Sequence, residues 1–228
     1  MKKVLVIAAH PDDEILGCGG TILKRVAKGD KVYSLCLGEG ISSRYLKREL
    51  VKKEKLTSLH DCYIKAAKLM GFKKSWLNKF PDNRFDSVDL LDIIKVIEKV
   101  KKEIKPQIIY THFENDLNID HRITFQAVIT ACRPVSEESV KEIYSFETPS
   151  STEWTSSHSG ENHFRPNVFV DIKGTIDKKI NIMKVYKSEI KKYPHPRSLK
   201  ALRIVAQRWG IVCGLKYAEG FILVRKVI

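Results

Sequence analysis

The feature that most constrains this chain is an apolar run of strand length that ends directly in a histidine and a cluster of acidic residues. The run from Lys2 to Ala9 is nearly continuous, as is typical of a strand buried on both faces of a parallel sheet. The segment Ala9-His10-Pro11-Asp12-Asp13-Glu14 follows it. One imidazole and three carboxylates in so short a stretch suit a cation better than a core. We therefore expect His10 and Asp13 to bind a divalent metal, with Asp12 as a general base beside it.

Two other interpretations of this segment are open at this point. It could be a solvated acidic loop in which His10 and Asp12 cap the next helix. It could also be a dinucleotide turn, because Gly17, Gly19 and Gly20 follow closely. The glycine spacing lacks the last glycine of that motif, and a carboxylate-rich loop would repel a pyrophosphate. We expect these glycines to let the helix start pack closely instead.

The rest of the chain alternates apolar strand-like runs with amphipathic helical segments. We expect further strands at 31–37, 76–80, 107–111, 140–146 and 167–172, helices at 15–28, 44–71, 89–102, 123–132, 177–190 and 199–215, and a last segment at 217–227. This alternation predicts an α/β fold with an open, mainly parallel sheet and helices on both faces. Without a linker or an internal repeat, we expect a single domain over residues 1–228.

A second polar cluster runs from Thr111 to Arg122, again between a predicted strand and a predicted helix. In open parallel sheets the ligand site lies beyond the carboxyl ends of the strands, where both clusters fall. Catalytic zinc sites typically have three protein ligands and one open position for water. His121 would complete the set, and Asp120 would orient an imidazole or a substrate group. The alternative is that His121 is a helix-start residue without a ligand role.

Composition limits the compartment and the partners. No apolar run reaches the roughly 18 to 20 residues that span a bilayer, and no signal-peptide cleavage site follows the N-terminus, so we expect a cytoplasmic protein without a membrane span. The formal net charge is +14, but the lysines are spread along predicted helices without an arginine stripe. We expect a solvated surface or an anionic, nucleotide- or phosphate-linked substrate, and no nucleic acid.

With both clusters in view, the chain resembles the PIG-L or LmbE-like family of metal-dependent sugar N-deacetylases. That family is typified by the enzyme that deacetylates N-acetylglucosaminyl phosphatidylinositol. The resemblance rests on Ala9 to Glu14 with Gly17 to Thr21, and on His112 through Arg122, which ends in Asp120-His121-Arg122. It implies a Rossmann-like fold and hydrolysis of the N-acetyl group of an N-acetylglucosamine-type amino sugar or its conjugate. It also implies zinc, or another divalent transition metal, on His10, Asp13 and His121, with Asp12 as the base.

One position departs from the family pattern. In many relatives the residue three before the last metal histidine is a histidine that polarises the substrate carbonyl, and here it is Asn118. An amide can donate a hydrogen bond to an oxyanion but cannot carry a proton. His195 or His112 is the candidate for the missing imidazole.

Three arginines, Arg44, Arg84 and Arg197, are expected to bind sugar hydroxyls or a phosphate, and the alternative for each is an ordinary surface charge. The polar loop at 147–162 is long enough for a lid or a subunit contact, and its Trp154 suggests a homo-oligomer.

Two further functions stay open. One is metal-dependent hydrolysis of another bond, such as a phosphoester, with Glu14 and Asp116 at a second metal. The other is carbohydrate or nucleic-acid binding without catalysis.

Overall fold

The computed structural model describes residues 1–156 and 163–228, which form one mixed sheet with helices on both faces. Within these residues the strands are β1 (Lys3–Ala8), β2 (Lys31–Gly38), β3 (Lys74–Phe80), β4 (Ile108–His112), β5 (Glu142–Phe146), β6 (Val168–Asp171) and β7 (Ala218–Lys226). The α-helices of the same residues are α1 (Asp13–Ala27), α2 (Lys53–Met70), α3 (Leu90–Ile104), α4 (Ile119–Ala131), α5 (Ile176–Met183) and α6 (Leu199–Cys213).

The strands lie in the order β3-β2-β1-β4-β5-β7-β6. Strands β1 to β5 are parallel to one another, and β7 runs antiparallel between β5 and β6. The predicted open, mainly parallel α/β sheet is therefore confirmed. No helix of the described residues is long and apolar enough to cross a membrane.

The side chains of β1 divide between two apolar layers, because successive residues of a strand point to opposite faces. Val4 and Val6 belong to the layer that includes residues of α1 and α2. Leu5 and Ile7 belong to the layer that includes residues of α3 and α4. Both faces of β1 are thus covered by helices, which explains why its sequence is continuously apolar rather than alternating.

The parallel register brings the two polar clusters of the sequence together. β1 and β4 are hydrogen-bonded neighbours, with Val6 opposite Tyr110. The polar segments that follow Ala8 and His112 therefore leave the sheet side by side. The site lies at the carboxyl edge of the sheet, as expected for this architecture.

The glycines after the acidic segment allow close packing, as predicted. A Cβ atom on Gly17 would lie 2.1 Å from Cδ2 of Phe146, a buried residue at the end of β5. A Cβ on Gly20 would lie 2.8 Å from Cγ2 of Ile172. Helix α1 can approach the sheet only because these positions have no side chain.

Three predicted helices differ from those observed by four residues or more at one end. The helix predicted over 44–71 begins only at Lys53, because 42–52 form two short 3-10 turns in which Arg44 and Arg48 make ion pairs with glutamates from elsewhere in the chain. The helix predicted over 177–190 ends at Met183. The helix predicted from 123 begins at Ile119, so His121 lies in its first turn. Of the loop predicted over 147–162, residues 157–162 lie outside the described residues.

Candidate active site

Three side chains from separate parts of the chain form the candidate metal group. His10 follows β1, Asp13 lies in the first turn of α1, and His121 lies in the first turn of α4. One ligand atom from each lies within 4.8 Å of the others, and all three residues are buried. Oδ2 of Asp13 is 3.3 Å from Nδ1 of His10 and 3.4 Å from Nε2 of His121. The three residues that the sequence analysis selected as ligands therefore lie together.

The hydrogen bonding of this group is incomplete in a way that fits a metal ion. Oδ1 of Asp13 is buried without a hydrogen-bond partner among the described residues, and Nε2 of His121, 3.4 Å from Oδ2 of Asp13, makes no hydrogen bond among them either. Buried polar atoms are rarely left without a partner, and each one costs about 1–3 kcal/mol. Two imidazole nitrogens and a carboxylate oxygen are a donor set that zinc accepts. A cation held by these atoms would satisfy them.

The electrostatics of the group also favour a positive charge. Burial alone would lower the pKa of His121, but the carboxylates of Asp13 and Asp116 raise it to about 9. Burial alone would raise the pKa of Asp13, but the neighbouring imidazoles, led by His121, hold it well below its ordinary value. A carboxylate that stays ionised among buried imidazoles is a favourable place for a divalent cation, which takes the place of the protons.

A second group of acidic residues around His10 has a different role. Nε2 of His10 lies 2.8 Å from Oδ2 of Asp120 and 3.2 Å from Oδ1 of Asp82. Asp120 also accepts the backbone N–H groups of Asn83 and Phe85, at 2.6 and 2.9 Å. His10, Asp82 and Asp120 also form a group that could hold an ion. We assign Asp120 to His10 instead, because its two oxygens already accept two backbone N–H groups and face Nε2 of His10. When Nε2 of His10 carries the proton and donates it, Nδ1 is left free on the side of Asp13.

His121 has a carboxylate partner of its own. Oδ1 of Asp116 lies 3.0 Å from Nδ1 of His121, and Asp116 also accepts hydrogen bonds from the hydroxyls of Ser151 and Thr152. Burial alone would raise the pKa of Asp116, but His121 and these hydroxyls lower it to about 2. On sequence grounds Asp116 and Glu14 are candidates for a second metal. Neither belongs to the groups that the described residues offer for an ion, and both carboxylates have other partners.

Asp12 is held apart from the metal group. It occupies the position before α1 in a left-handed conformation, with φ of 108°, and its side chain makes no capping hydrogen bond. Its N–H instead donates to Oε2 of Glu14 at 3.1 Å, and Oε1 of Glu14 accepts the hydroxyl of Tyr186 at 2.8 Å. The hydrogen bond to Glu14 fixes the backbone of Asp12. The carboxylate of Asp12 lines the cavity.

Burial raises the pKa of Asp12 well above its ordinary value, and Arg197 opposes this rise. Asp13, Glu189 and Glu14 add to the rise through their negative charge. A carboxylate whose conjugate acid holds its proton more tightly is a stronger base once ionised. Environment and position thus distinguish Asp12 from Asp13, its neighbour in sequence.

A cavity of about 210 Å³ opens beside these residues. Its polar wall includes Asp12, Arg44, Asp82, Asn118, Glu189 and Arg197. Arg44 and Arg197 both make ion pairs with Glu189, which is 3% exposed. Sequence reasoning missed Glu189, because it was placed inside a predicted helix that in fact ends six residues earlier.

The other candidate residues divide between those inside and those outside the cavity. Asn118 lines it, and Oδ1 of Asn118 accepts the N–H of Asp120, so its NH2 group is the part that can donate to a ligand. Arg84 is exposed and is not part of the cavity wall, whereas its neighbour Asn83 is. His195 is outside the wall as well. Its Nδ1 accepts the N–H of Arg197 at 3.1 Å.

His112 is fully buried beneath the cavity. Its Nε2 accepts the N–H of Ala9 at 2.9 Å, and its Nδ1 lies 3.1 Å from Oγ1 of Thr148. Its ring stacks on His121 with the centroids 3.9 Å apart. Burial, with the charge of His121, lowers the pKa of His112 well below its ordinary value. A neutral imidazole with both nitrogens in use supports His121 and cannot also reach a substrate.

The fold and the site together define a class: an open α/β sheet with a buried His–Asp–His group and a separate aspartate at its carboxyl edge. The chain belongs to the PIG-L family, described as GlcNAc-PI de-N-acetylase, whose family model matches residues 5–132. The matched segment contains His10, Asp12, Asp13, Asn118 and His121.

Similar proteins extend over most of the chain. An Escherichia coli K12 protein described as the uncharacterized deacetylase YaiS is 28% identical over 177 residues, which cover 75% of this chain and 83% of the relative. The diacetylchitobiose deacetylase of Thermococcus kodakarensis is 27% identical over 237 residues, which cover 96% of this chain and 82% of the relative. The solved structure of N,N'-diacetylchitobiose deacetylase from Pyrococcus horikoshii matches with a TM-score of 0.75 at 23% identity. It covers 98% of this chain and 84% of that chain, and it shows a shared fold.

Proposed function

We propose that this protein hydrolyses the N-acetyl group of an N-acetylglucosamine-type amino sugar or its conjugate, releasing acetate and the free amine. One observation carries the proposal. His10, Asp13 and His121 bring one ligand atom each within 4.8 Å of the others, Oδ1 of Asp13 and Nε2 of His121 have no hydrogen-bond partner among the described residues, and Asp12 lies beside them in the wall of a polar cavity. Family membership and the diacetylchitobiose deacetylase among the relatives support the same reaction.

The metal is proposed to be zinc or another divalent transition metal, held by Nδ1 of His10, a carboxylate oxygen of Asp13 and Nε2 of His121. When bound, such an ion polarises an amide carbonyl and lowers the pKa of a water molecule toward about 7. A mixed nitrogen and oxygen donor set does not by itself select zinc over iron, cobalt or nickel. Asp120 orients the imidazole of His10, and Asp116 orients that of His121, each at the ring nitrogen that is not proposed to hold the metal.

Asp12 is proposed as the general base and then the general acid. Its carboxylate takes a proton from the attacking water as the bond to the acetyl carbon forms. It then returns that proton to the sugar nitrogen as the carbon–nitrogen bond breaks, which leaves acetate and an amine. Arg197, whose Nη1 lies 3.3 Å from Oδ2 of Asp12, favours the ionised form of this carboxylate and holds it in place.

Asn118 is proposed to stabilise the negative charge on the former carbonyl oxygen. Its Oδ1 is fixed by the N–H of Asp120 at 2.8 Å, which orients the NH2 group as a donor. One positioned donor of this type contributes about 10²–10³ to the rate in other hydrolases. Asn118 fills the polarising role without moving a proton, so the mechanism does not need His195 or His112 for that step.

Several finer statements belong to the proposal. A single domain over residues 1–228, a cytoplasmic location, a homo-oligomer and a phosphate- or nucleotide-linked sugar are expectations from the sequence alone. Arg44 and Arg197 are proposed to contact the substrate at the cavity wall. Arg84 is a weaker candidate, because it lies outside that wall.

The test is acetate release from a panel of N-acetylglucosamine derivatives by the metal-loaded protein, with Asp12→Asn and His121→Ala assayed in parallel. We expect Asp12→Asn to keep about one metal per chain and to lose activity by orders of magnitude, and His121→Ala to lose metal. Phosphate release from a phosphoester with two metals per chain would favour the rival hydrolase. Metal binding without turnover of any acetamido sugar would refute the proposed substrate bond.

A further inference from the structure

An open groove continues from the cavity that His10 and Asp12 line. Its volume is about 570 Å³, against 210 Å³ for the cavity itself. Ile41, Arg44 and Leu59 line both spaces, so the two are continuous at these three side chains. The groove lies between the 42–52 segment and helix α2.

The walls of the groove differ in chemistry from those of the cavity. The groove presents four apolar or weakly polar side chains, those of Ile41, Tyr45, Leu59 and Cys62. Its polar residues are Arg44, Glu54, Lys55, Ser58 and Ser188. Tyr45 lines the groove, and the ammonium group of Lys55 lies 5.6 Å from the centre of its ring. The cavity beside Asp12 is lined mainly by charged and amide groups, so an amino sugar suits the cavity and an apolar group suits the groove.

We propose that the groove binds an apolar substituent of the substrate, so that the preferred substrate is an amino sugar with an aromatic or acyl-chain aglycone rather than the free sugar. This inference rests on the proposed function and adds the substrate class to it. Sites for small molecules usually measure about 300–1,000 Å³. The cavity alone is below that range, and the groove lies within it.

The continuity of the two spaces identifies the occupant as part of the substrate rather than a separate partner. A substituent that leaves the sugar along Ile41 and Leu59 enters the groove without crossing any other element. Arg44 stands at the junction, and its guanidinium is held by Glu189. Glu189, which also pairs with Arg197, offsets part of the charge of this arginine, so the junction does not require a charge on the substituent.

The experiment compares kcat/KM for deacetylation of methyl and phenyl glycosides of N-acetylglucosamine, in both anomers, by the zinc-loaded protein. We expect the phenyl glycoside of the better anomer to exceed its methyl counterpart about tenfold, because the groove removes the ring from water. In Tyr45→Ala that ratio should fall to about two- to threefold, with the methyl glycoside unchanged.

The matched control is Tyr217→Ala. Tyr217 is also half-buried and also has a lysine near its ring, but it precedes β7 and lines neither the cavity nor the groove. This variant should keep the tenfold ratio. Thermal unfolding of each variant shows whether it is folded, and inhibition by phenyl glucoside, which has no acetamide, measures the groove without turnover. We expect Tyr45→Ala to weaken that inhibition and Tyr217→Ala to leave it unchanged.

The outcomes separate the two claims. Equal rates for methyl and phenyl glycosides, or a ratio that survives in folded Tyr45→Ala, would overturn the groove as a subsite and leave the deacetylase intact. Failure to release acetate from every glycoside of the panel would count against the proposed function, and the inference that rests on it would fall as well.

Discussion

Arg197 places its Nη1 atom 3.3 Å from Oδ2 of Asp12, although the two residues are 185 positions apart in the chain. The same guanidinium contacts Glu189 at 3.3 Å and Oγ of Ser150 at 2.7 Å. It is therefore fixed on two sides before it meets the aspartate. The contact links the segment between α5 and α6 to the start of α1 and directs a positive charge at the proposed base.

Replacing Arg197 with glutamine should lower kcat and move the acidic limb of the pH–rate profile upward. Arg197 lowers the pKa of Asp12 against the effect of burial, so without it Asp12 ionises only at higher pH. We expect kcat/KM near neutral pH to fall about ten- to a hundredfold, a part of the full contribution of a general base. The measurement is kcat and KM between pH 5 and 9 for the wild type and the variant.

Two controls make that result specific. Arg197→Lys keeps the charge and should recover part of kcat. Arg203→Gln removes an arginine from the surface of α6, where it pairs with Asp177, and should change nothing. If Arg197 acts only by binding substrate, KM will rise while the acidic limb stays in place.

Asp116→Asn should weaken metal binding without abolishing it. The carboxylate of Asp116 lies 3.0 Å from Nδ1 of His121 and orients this proposed ligand from behind. Loss of such a partner typically costs 10–100-fold in metal affinity. Competition with a chromophoric chelator measures the change. Asp177→Asn is the exposed control and should bind metal like the wild type, and an unchanged affinity for Asp116→Asn would show that Asp116 does not support the ligand.

Much of this candidate site could be predicted from the sequence because the proposed ligands lie next to regular structure. His10 and Asp13 follow β1, and His121 opens the helix after β4. Adjacent parallel strands bring their carboxyl ends together whatever lies between them in the chain. The strand pattern and two short motifs were therefore enough to place the proposed metal group.

The rest of the site could not be predicted, because it depends on segments without a periodic pattern. Arg44 and Glu189 both lie in stretches that were predicted to be helical and that instead form turns. Their ion pair is a tertiary contact between residues 145 positions apart, and no local sequence pattern predicts it. The same holds for Asn83, which lines the cavity, whereas the neighbouring Arg84 does not. Side-chain direction in a turn is set by the backbone geometry and not by the residue type.

Glu147→Gln should stabilise the protein at alkaline pH and leave it unchanged near pH 4.5. Burial raises the pKa of Glu147 to about 7, although its carboxylate accepts the indole N–H of Trp209. The folded state therefore holds a proton that the unfolded state loses near pH 4.5, so the free energy of unfolding falls as pH rises from 4.5 to about 7. Glutamine accepts the same indole N–H without a charge.

The expected gain at pH 8 is about 1–2 kcal/mol, which is less than the full linkage because the side chain of Glu147 is only half-buried. Urea unfolding of zinc-loaded protein at pH 4.5 and pH 8, followed by Trp fluorescence, measures it. Groups that titrate in both proteins cancel in the difference between variant and wild type. Glu103→Gln, at an exposed site on α3, should be neutral at both pH values, and a gain of equal size at both would contradict the assignment.

Gly17→Ala should destabilise the protein and weaken metal binding together. Alanine in a helix normally gains about 1 kcal/mol over glycine. Here the new Cβ would lie 2.1 Å from Cδ2 of Phe146, whose buried ring packs against His112 with the ring centroids 4.9 Å apart. The overlap forces α1 away from the sheet, and Asp13 in the first turn of α1 moves with it. Overpacking of this kind costs about 1–3 kcal/mol or more, so we expect a net loss of about 2 kcal/mol.

Gly174→Ala is the control, because no atom lies within 4 Å of its Cβ position. Urea unfolding and chelator competition on both variants measure the two effects, and a Gly17→Ala protein as stable as the wild type would show that α1 does not need this close approach to hold Asp13.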